Sequence, residues 1–124
     1  MPRRRKRDRM NAKQRVLGML GMAQRAGKVI SGAEGVASTL SSGKAELLII
    51  SRDISRNTLD KILSAAEKSE KVTGKPVTCF RIGTSDDLGM ALGKPARTAA
   101  AVTDKAFAKG ISDLLEGINE EDDI

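Results

Sequence analysis

A three-layer α/β/α sandwich is the fold class this sequence predicts, and three observations carry the prediction. Helical and extended patterns alternate along nearly the whole chain. One extended segment, Leu47-Leu48-Ile49-Ile50, is apolar at every position, the pattern of a strand covered on both faces. Strands separated by helices need crossover connections, which lay helices on both sides of one sheet.

The elements follow in order. Residues 1–10 are a charge run without periodicity, expected to form a basic disordered tail. Residues 11–117 are expected to form a single domain, and 118–124 an acidic tail. The first helix runs from Asn11, a candidate N-cap, to Ala26, with Val16, Met19, Leu20 and Ala23 at helical spacing and Gly27 as the stop. Gly18 and Gly21 weaken it by about 1 kcal/mol each relative to Ala, unless they permit close packing. A strand is predicted over Lys28–Ser31. Gly32 then opens a second helix to about Ser42, its apolar face holding Val36, Ala37 and Leu40. Ala45–Ser51 reads as the second strand. Ser55 or Asn57 can cap a third helix to about Val72, with Leu59, Ile62, Leu63 and Ala66 inward, and Gly74 ends it. Pro76 precedes a third strand over Val77–Ile82. Ser85 or Asp86 begins a short helix to Leu92, and Gly93-Lys94-Pro95 is a loop before a fourth strand at Arg97–Thr103. Phe107, Ile111, Leu114 and Leu115 share one face of the closing helix.

Composition narrows the function. The 124 residues suffice for one core, and no apolar run approaches the roughly 18 residues of a membrane span. The basic start is followed by polar Asn11, Lys13 and Gln14, unlike a signal peptide, so a cytoplasmic location is expected, with no membrane partner. Histidine is absent, which removes the commonest general base and metal ligand, and the single Cys79, inside an apolar segment, reads as a buried thiol. No catalytic residue, metal site or cofactor is therefore assigned. The 22 bases against 16 acids give +6; residues 3–9 alone carry +5 and Asp113–Asp123 carry −6, so the remainder is itself basic at +7. Such a balance favours a polyanionic partner. With no Trp or Tyr, and only Phe80 and Phe107, both in core-like contexts, an aromatic stacking platform is excluded. Recognition must use backbone amides, short polar side chains, Lys and Arg.

Three segments could do so. At Gly32-Ala33-Glu34-Gly35 a strand passes into a helix, whose unpaired N–H groups can hold a phosphate and where Glu34 could accept from base amino or imino groups. The same residues also suit a plain turn with Glu34 complementing the helix dipole. Gly93-Lys94-Pro95-Ala96-Arg97 is a proline-stiffened cationic loop, equally readable as a solvated turn. The arginine-rich start can bind phosphates without sequence preference, or serve as a solubilising tail. Asp86 and Asp87, after Thr84-Ser85, read as helix capping, and Gly27 to Gly35 has neither P-loop nor dinucleotide spacing.

Taken together, several stretches resemble a known family. Leu17-Gly18-Met19-Leu20-Gly21-Met22-Ala23-Gln24-Arg25-Ala26-Gly27-Lys28, followed by Ser31-Gly32, resembles the opening of the YlxQ-like proteins, the bacterial branch of the kink-turn-binding ribosomal proteins. The run from Ser42 to Asp53 is similar to that family's second strand and following loop. Asp87-Leu88-Gly89-Met90-Ala91-Leu92-Gly93-Lys94-Pro95 is similar to its Asp-Leu-Gly-x-Ala-x-Gly helix and loop, and Ala100-Ala101-Val102-Thr103-Asp104 to its last strand. The likeness spans about residues 13–116 in one order.

The resemblance implies an α/β/α sandwich around a mixed four-stranded sheet and a non-enzymatic role in holding a sharply bent, structured RNA, ribosomal or otherwise non-coding. The ribosome or translation proteins are implied as further partners. It implies contacts from Lys28, Gly32, Ala33, Glu34, Gly35, Ser38, Arg52, Lys94, Pro95, Ala96, Arg97 and Thr98. One departure stands out: where well-known kink-turn binders read Gly-x-Asn-Glu-x-x-Lys, this chain has Gly32-Ala33-Glu34-Gly35-Val36-Ala37-Ser38. The missing cation at Ser38 forgoes a charge-assisted contact of roughly 1.5–3 kcal/mol. An alternative is a protein-interaction module, since the same fold serves in translation termination factors and stress-signalling proteins, with only generic nucleic-acid binding by the tail.

Overall fold

The structure, a computed structural model, describes residues 2–116, with side chains from residue 12 onward. The order is α1 (Pro2–Arg25), β1 (Val29–Ser31), α2 (Ala33–Ser41), β2 (Leu47–Ile50), α3 (Arg56–Thr73), β3 (Cys79–Arg81), α4 (Ser85–Leu92), β4 (Ala99–Val102) and α5 (Lys105–Glu116). The expected acidic tail lies outside the described residues.

The four strands form one sheet in the order β1-β4-β2-β3. β4 pairs antiparallel with both β1 and β2, whereas β2 and β3 are parallel, so the sheet is mixed. Strand periodicity divides the core into two. Val29, Leu47, Ile49, Ala100 and Val102 point to one face, against Val16 and Leu20 of α1, Leu88 of α4 and Ile111 of α5. Leu48, Ile50, Ala99 and Ala101 point to the other, against Val36 and Leu40 of α2 and Ile62 of α3. Every residue of β2 and β4 is buried, as the unbroken apolar run at 47–50 requires.

Local chemistry sets the element ends. Ser55 caps α3 by accepting from the Thr58 N–H at 3.2 Å, and Gly74, at φ 78°, closes that helix. Thr84 and Asp87 form a reciprocal capping box on α4. Gly21 is where α1 meets α4: a Cβ there would stand 2.8 Å from the Ala91 carbonyl oxygen. Gly18, by contrast, faces open space and makes no such approach.

Three expectations are corrected. α1 begins at Pro2, so Asn11 lies within it and is not its cap; Lys and Arg are good helix formers, and no glycine interrupts residues 3–17. Leu63 is 45% exposed, because the inward stripe of α3 runs through Ile62, Ala65 and Ser69, and Leu63 falls one step round the helix. Cys79 is exposed, since β3 is an edge strand with one uncovered flank; local desolvation still pushes its thiol above the ordinary value. Phe80 and Phe107 are half-buried, packed on the margin of the α1/α4/α5 core. Among the described residues no helix is long and apolar enough to cross a membrane.

Candidate nucleic-acid interface

One end of the sheet gathers the candidate segments. β1, β2 and β3 finish there, and antiparallel β4 starts there. The Gly32 N–H donates to the Ala99 carbonyl at 3.0 Å, which sets the start of α2 beside the start of β4. The Ser51 N–H donates to the Thr98 carbonyl at 2.9 Å, bringing the loop after β2 to the same place.

The start of α2 is open. Gly32 is its N-cap at φ 93° and ψ 147°, a conformation essentially reserved for glycine, and no side chain caps it. The N–H groups of Ala33, Glu34 and Gly35 therefore begin a nine-residue helix without a side-chain acceptor. Ala33 and Gly35 are part-exposed, Glu34 and Ser38 exposed. Glu34 stands 4.0 Å from Lys61 of α3, an exposed ion pair worth at most about 1 kcal/mol.

The start of α4 is closed instead. Asp53 accepts from both the Ser85 N–H and the Ser85 hydroxyl at 2.9 Å, and the neighbouring Ser51 and Ser85 hydroxyls hold its carboxyl below the ordinary value. The Thr84 N–H holds Asp87 below its ordinary value, with a further contribution from Lys13 at 3.4 Å. Two protein carboxylates thus accept from N–H groups at the start of α4, whereas no side chain caps the start of α2.

Residues 93–98 run back along α4. Gly93 turns the chain at φ 67°, and the Arg97 N–H reaches the Ser85 carbonyl at 3.0 Å. Gly89 permits this contact: a Cβ there would collide with the Pro95 carbonyl oxygen and lie 2.9 Å from the Ala96 Cα. Lys94, Pro95 and Ala96 are exposed. Arg97 is part-buried, its Nε donating to the Ser31 hydroxyl at 3.3 Å, one residue before Gly32. Arg97 and Thr98 therefore adjoin the α2 start, while Lys94 lies nearer the far end of α4.

Of the sequence-assigned residues, Gly32, Ala33, Glu34, Gly35, Arg52, Ala96, Arg97 and Thr98 meet at this end. Lys28 does not. It pairs with Thr103, whose N–H donates to its carbonyl at 2.9 Å, and so sits at the opposite end of β1; a strand inserts its own length between its two neighbours, which sequence proximity to Gly32 conceals. Ser38, a turn into α2, also borders a separate surface hollow of about 620 Å³ with Ile30, Thr39 and Lys44. Sequence reading missed Ser31 and Asp53 as organisers. Both lay inside quoted motifs, but partners 66 and 32 residues away leave no local signal. Acids are interleaved with bases at this end: Glu34, Asp53, Asp86 and Asp87 stand among Arg52 and Arg97, with Lys94 at the far end of the loop. Among the described residues no group of His, Cys, Asp or Glu could hold a metal ion.

A mixed sheet in this order, with an uncapped glycine helix start beside a glycine-seated loop, defines a family architecture. Residues 14–112 match the ribosomal protein L7Ae/L30e/S12e/Gadd45 family, and the chain belongs to it. It is 30% identical over 105 residues to the RNA-binding protein YlxQ of Enterococcus faecium, covering 85% of this chain and 95% of that one. It is 34% identical over 98 residues to YlxQ of Bacillus subtilis (strain 168), covering 79% and 92%. These likenesses place it in a YlxQ-like branch. A Bacillus halodurans protein of unknown function superposes with a TM-score of 0.71 at 28% identity, covering 82% of this chain and 96% of that one. The Giardia lamblia 15.5kD RNA binding protein shares the fold, with a TM-score of 0.66 at 20% identity over 87% and 88% of the two chains.

Proposed function

We propose that this chain is a non-enzymatic RNA-binding protein that holds a sharply bent, kink-turn-like RNA at the sheet end carrying Gly32–Gly35 and Ala96–Thr98. The observation that supports it most is the Arg97–Ser31 hydrogen bond beside the Gly32–Ala99 bond, which joins an uncapped helix start and a cationic loop into one surface. Phosphates bind the open amides at the positive end of the helix dipole, Arg97 contributes charge beside them, and Lys94 meets flanking phosphates from the other end of the loop. Membership of a family that includes ribosomal proteins, and relatives named as RNA-binding proteins, support the same reading. The target is a ribosomal or other non-coding RNA, met in the cytoplasm, with the ribosome and translation proteins as further partners.

The test compares a bent RNA containing an internal loop with a straight duplex of equal length. Lys94→Glu and Arg97→Gln are each expected to weaken binding of the bent RNA by roughly 10-fold or more, the loss of one charge-assisted contact. Unchanged affinity in both variants would remove the site. A protein-interaction role is favoured by Ser38, a neutral group where the well-known kink-turn binders carry a lysine. Partners that survive nuclease treatment during purification would support that second reading.

A further inference from the structure

We infer that the arginine-rich first turns of α1 are a second contact for the same RNA, gripping the phosphates of a duplex stem that flanks the bound loop; the inference rests on the reading just proposed. Its basis is where α1 points. Lys13 of α1 pairs with Asp87 at 3.4 Å, Asp87 accepts from the Thr84 N–H at 3.0 Å, and the adjacent Ser85 carbonyl accepts from the Arg97 N–H at 3.0 Å. This chain of contacts puts Lys13 at the end of the sheet that carries the candidate surface.

From there α1 runs down the sheet to the other end, where β1 begins beside Val102. Followed the opposite way, the residues before Lys13 continue outward past the candidate surface. The ten residues from Lys13 back to Arg3 extend it by about 15 Å at the rise of an α-helix. Arg3, Arg4, Arg5, Lys6, Arg7 and Arg9 lie on this arm, and residues 3–9 carry +5.

The candidate surface lacks such an excess, because Glu34, Asp53, Asp86 and Asp87 stand among its bases. Phosphate neutralisation on any scale has to come from elsewhere, and the arm is the densest positive charge in the chain. Lys and Arg meet phosphate oxygens without needing a particular base, and a paired stem presents those oxygens most densely, so the backbone of a flanking stem is the arm's partner. Like charges four apart, Arg3 with Arg7 and Arg5 with Arg9, oppose the helix until a polyanion screens them. Bound RNA therefore stabilises the arm as the arm stabilises the complex.

The experiment replaces all six bases of the arm by Gln, a comparable helix former, at positions that precede Val16, the first buried core residue among those described. The probes are a bent internal-loop RNA with a long flanking stem and the same RNA with that stem trimmed to its loop-closing pairs. The Gln variant is expected to lose about 10-fold or more on the long-stem RNA, to flatten its log–log salt dependence by roughly 3–5, and to lose little on the trimmed RNA. Lys94→Glu, measured alongside, is expected to lose on both. No loss by the Gln variant on the long stem, or equal loss on both RNAs, overturns the arm while leaving the loop surface intact. Unchanged binding by Lys94→Glu overturns the loop reading, and with it the continuity claimed for the arm.

Discussion

Arg97 Nε donates to the Ser31 hydroxyl across 66 residues of sequence, at 3.3 Å, one residue from the glycine that starts α2. The bond, together with Arg97 Nη1 donating to the Ala96 carbonyl at 3.2 Å, fixes where the Arg97 guanidinium sits. Ser31→Ala removes the acceptor without touching either backbone. Thermal unfolding should fall by no more than about 1 kcal/mol, the net value of one hydrogen bond. Affinity for a bent RNA should drop several-fold, because Arg97 then samples other rotamers.

Gly89→Ala tests the seat of the loop. The added methyl group collides with the Pro95 carbonyl, and both partners are backbone, so neither can swing aside. Overpacking of this kind costs roughly 1–3 kcal/mol. Amide shifts should move at residues 94–98 more than anywhere in the α2/α3 layer. A variant with wild-type shifts in that loop would show that the helix and loop are not in contact.

Gly32→Ala tests backbone rather than space. Nothing lies within 4 Å of a Cβ there, yet φ of 93° with ψ of 147° suits glycine alone. The expected loss is about 1–3 kcal/mol in urea unfolding, from strain only. A fully stable Gly32→Ala protein would contradict this conformation.

Acid should loosen the sheet end. Asp53 is held below its ordinary value of 3.8 by the Ser51 and Ser85 hydroxyls, and Asp87 below the same value by the Thr84 N–H and Lys13. A depressed carboxylate contributes stability that is complete above its unfolded-state pKa and disappears as pH falls through the folded value. Loss from these two groups therefore begins below pH 3.8. Carboxyl NMR titration should place both midpoints under that value, and Ser85→Ala should move Asp53 back toward it while leaving Asp87 where it was.

The architecture was readable because its signals are local. Leu47–Ile50 reads as a doubly covered strand, Gly27 and Gly74 as helix stops and Gly93 as the start of a loop; Ser55 or Asn57 reads as a cap, and the structure uses Ser55. The errors fall where tertiary placement decides. Cys79 sits in an apolar run, but its strand took the sheet edge; Leu63 is apolar, but the inward stripe of α3 passed beside it. Lys28 is four residues from Gly32 and belongs to the other end of the molecule, because the strand between them spans the sheet. Asp53 reaching Ser85, and Arg97 reaching Ser31, depend on a strand order that no short window of sequence encodes.

The most direct measurement follows backbone amides by NMR while a bent internal-loop RNA is titrated in. If the helix start and the loop form one RNA surface, Ala33–Gly35 and Ala96–Thr98 should shift together and saturate at the same RNA concentration, and a straight duplex should move them little. Shifts confined to the far end of β1, around Lys28 and Thr103, or an equal response to the straight duplex, would contradict it.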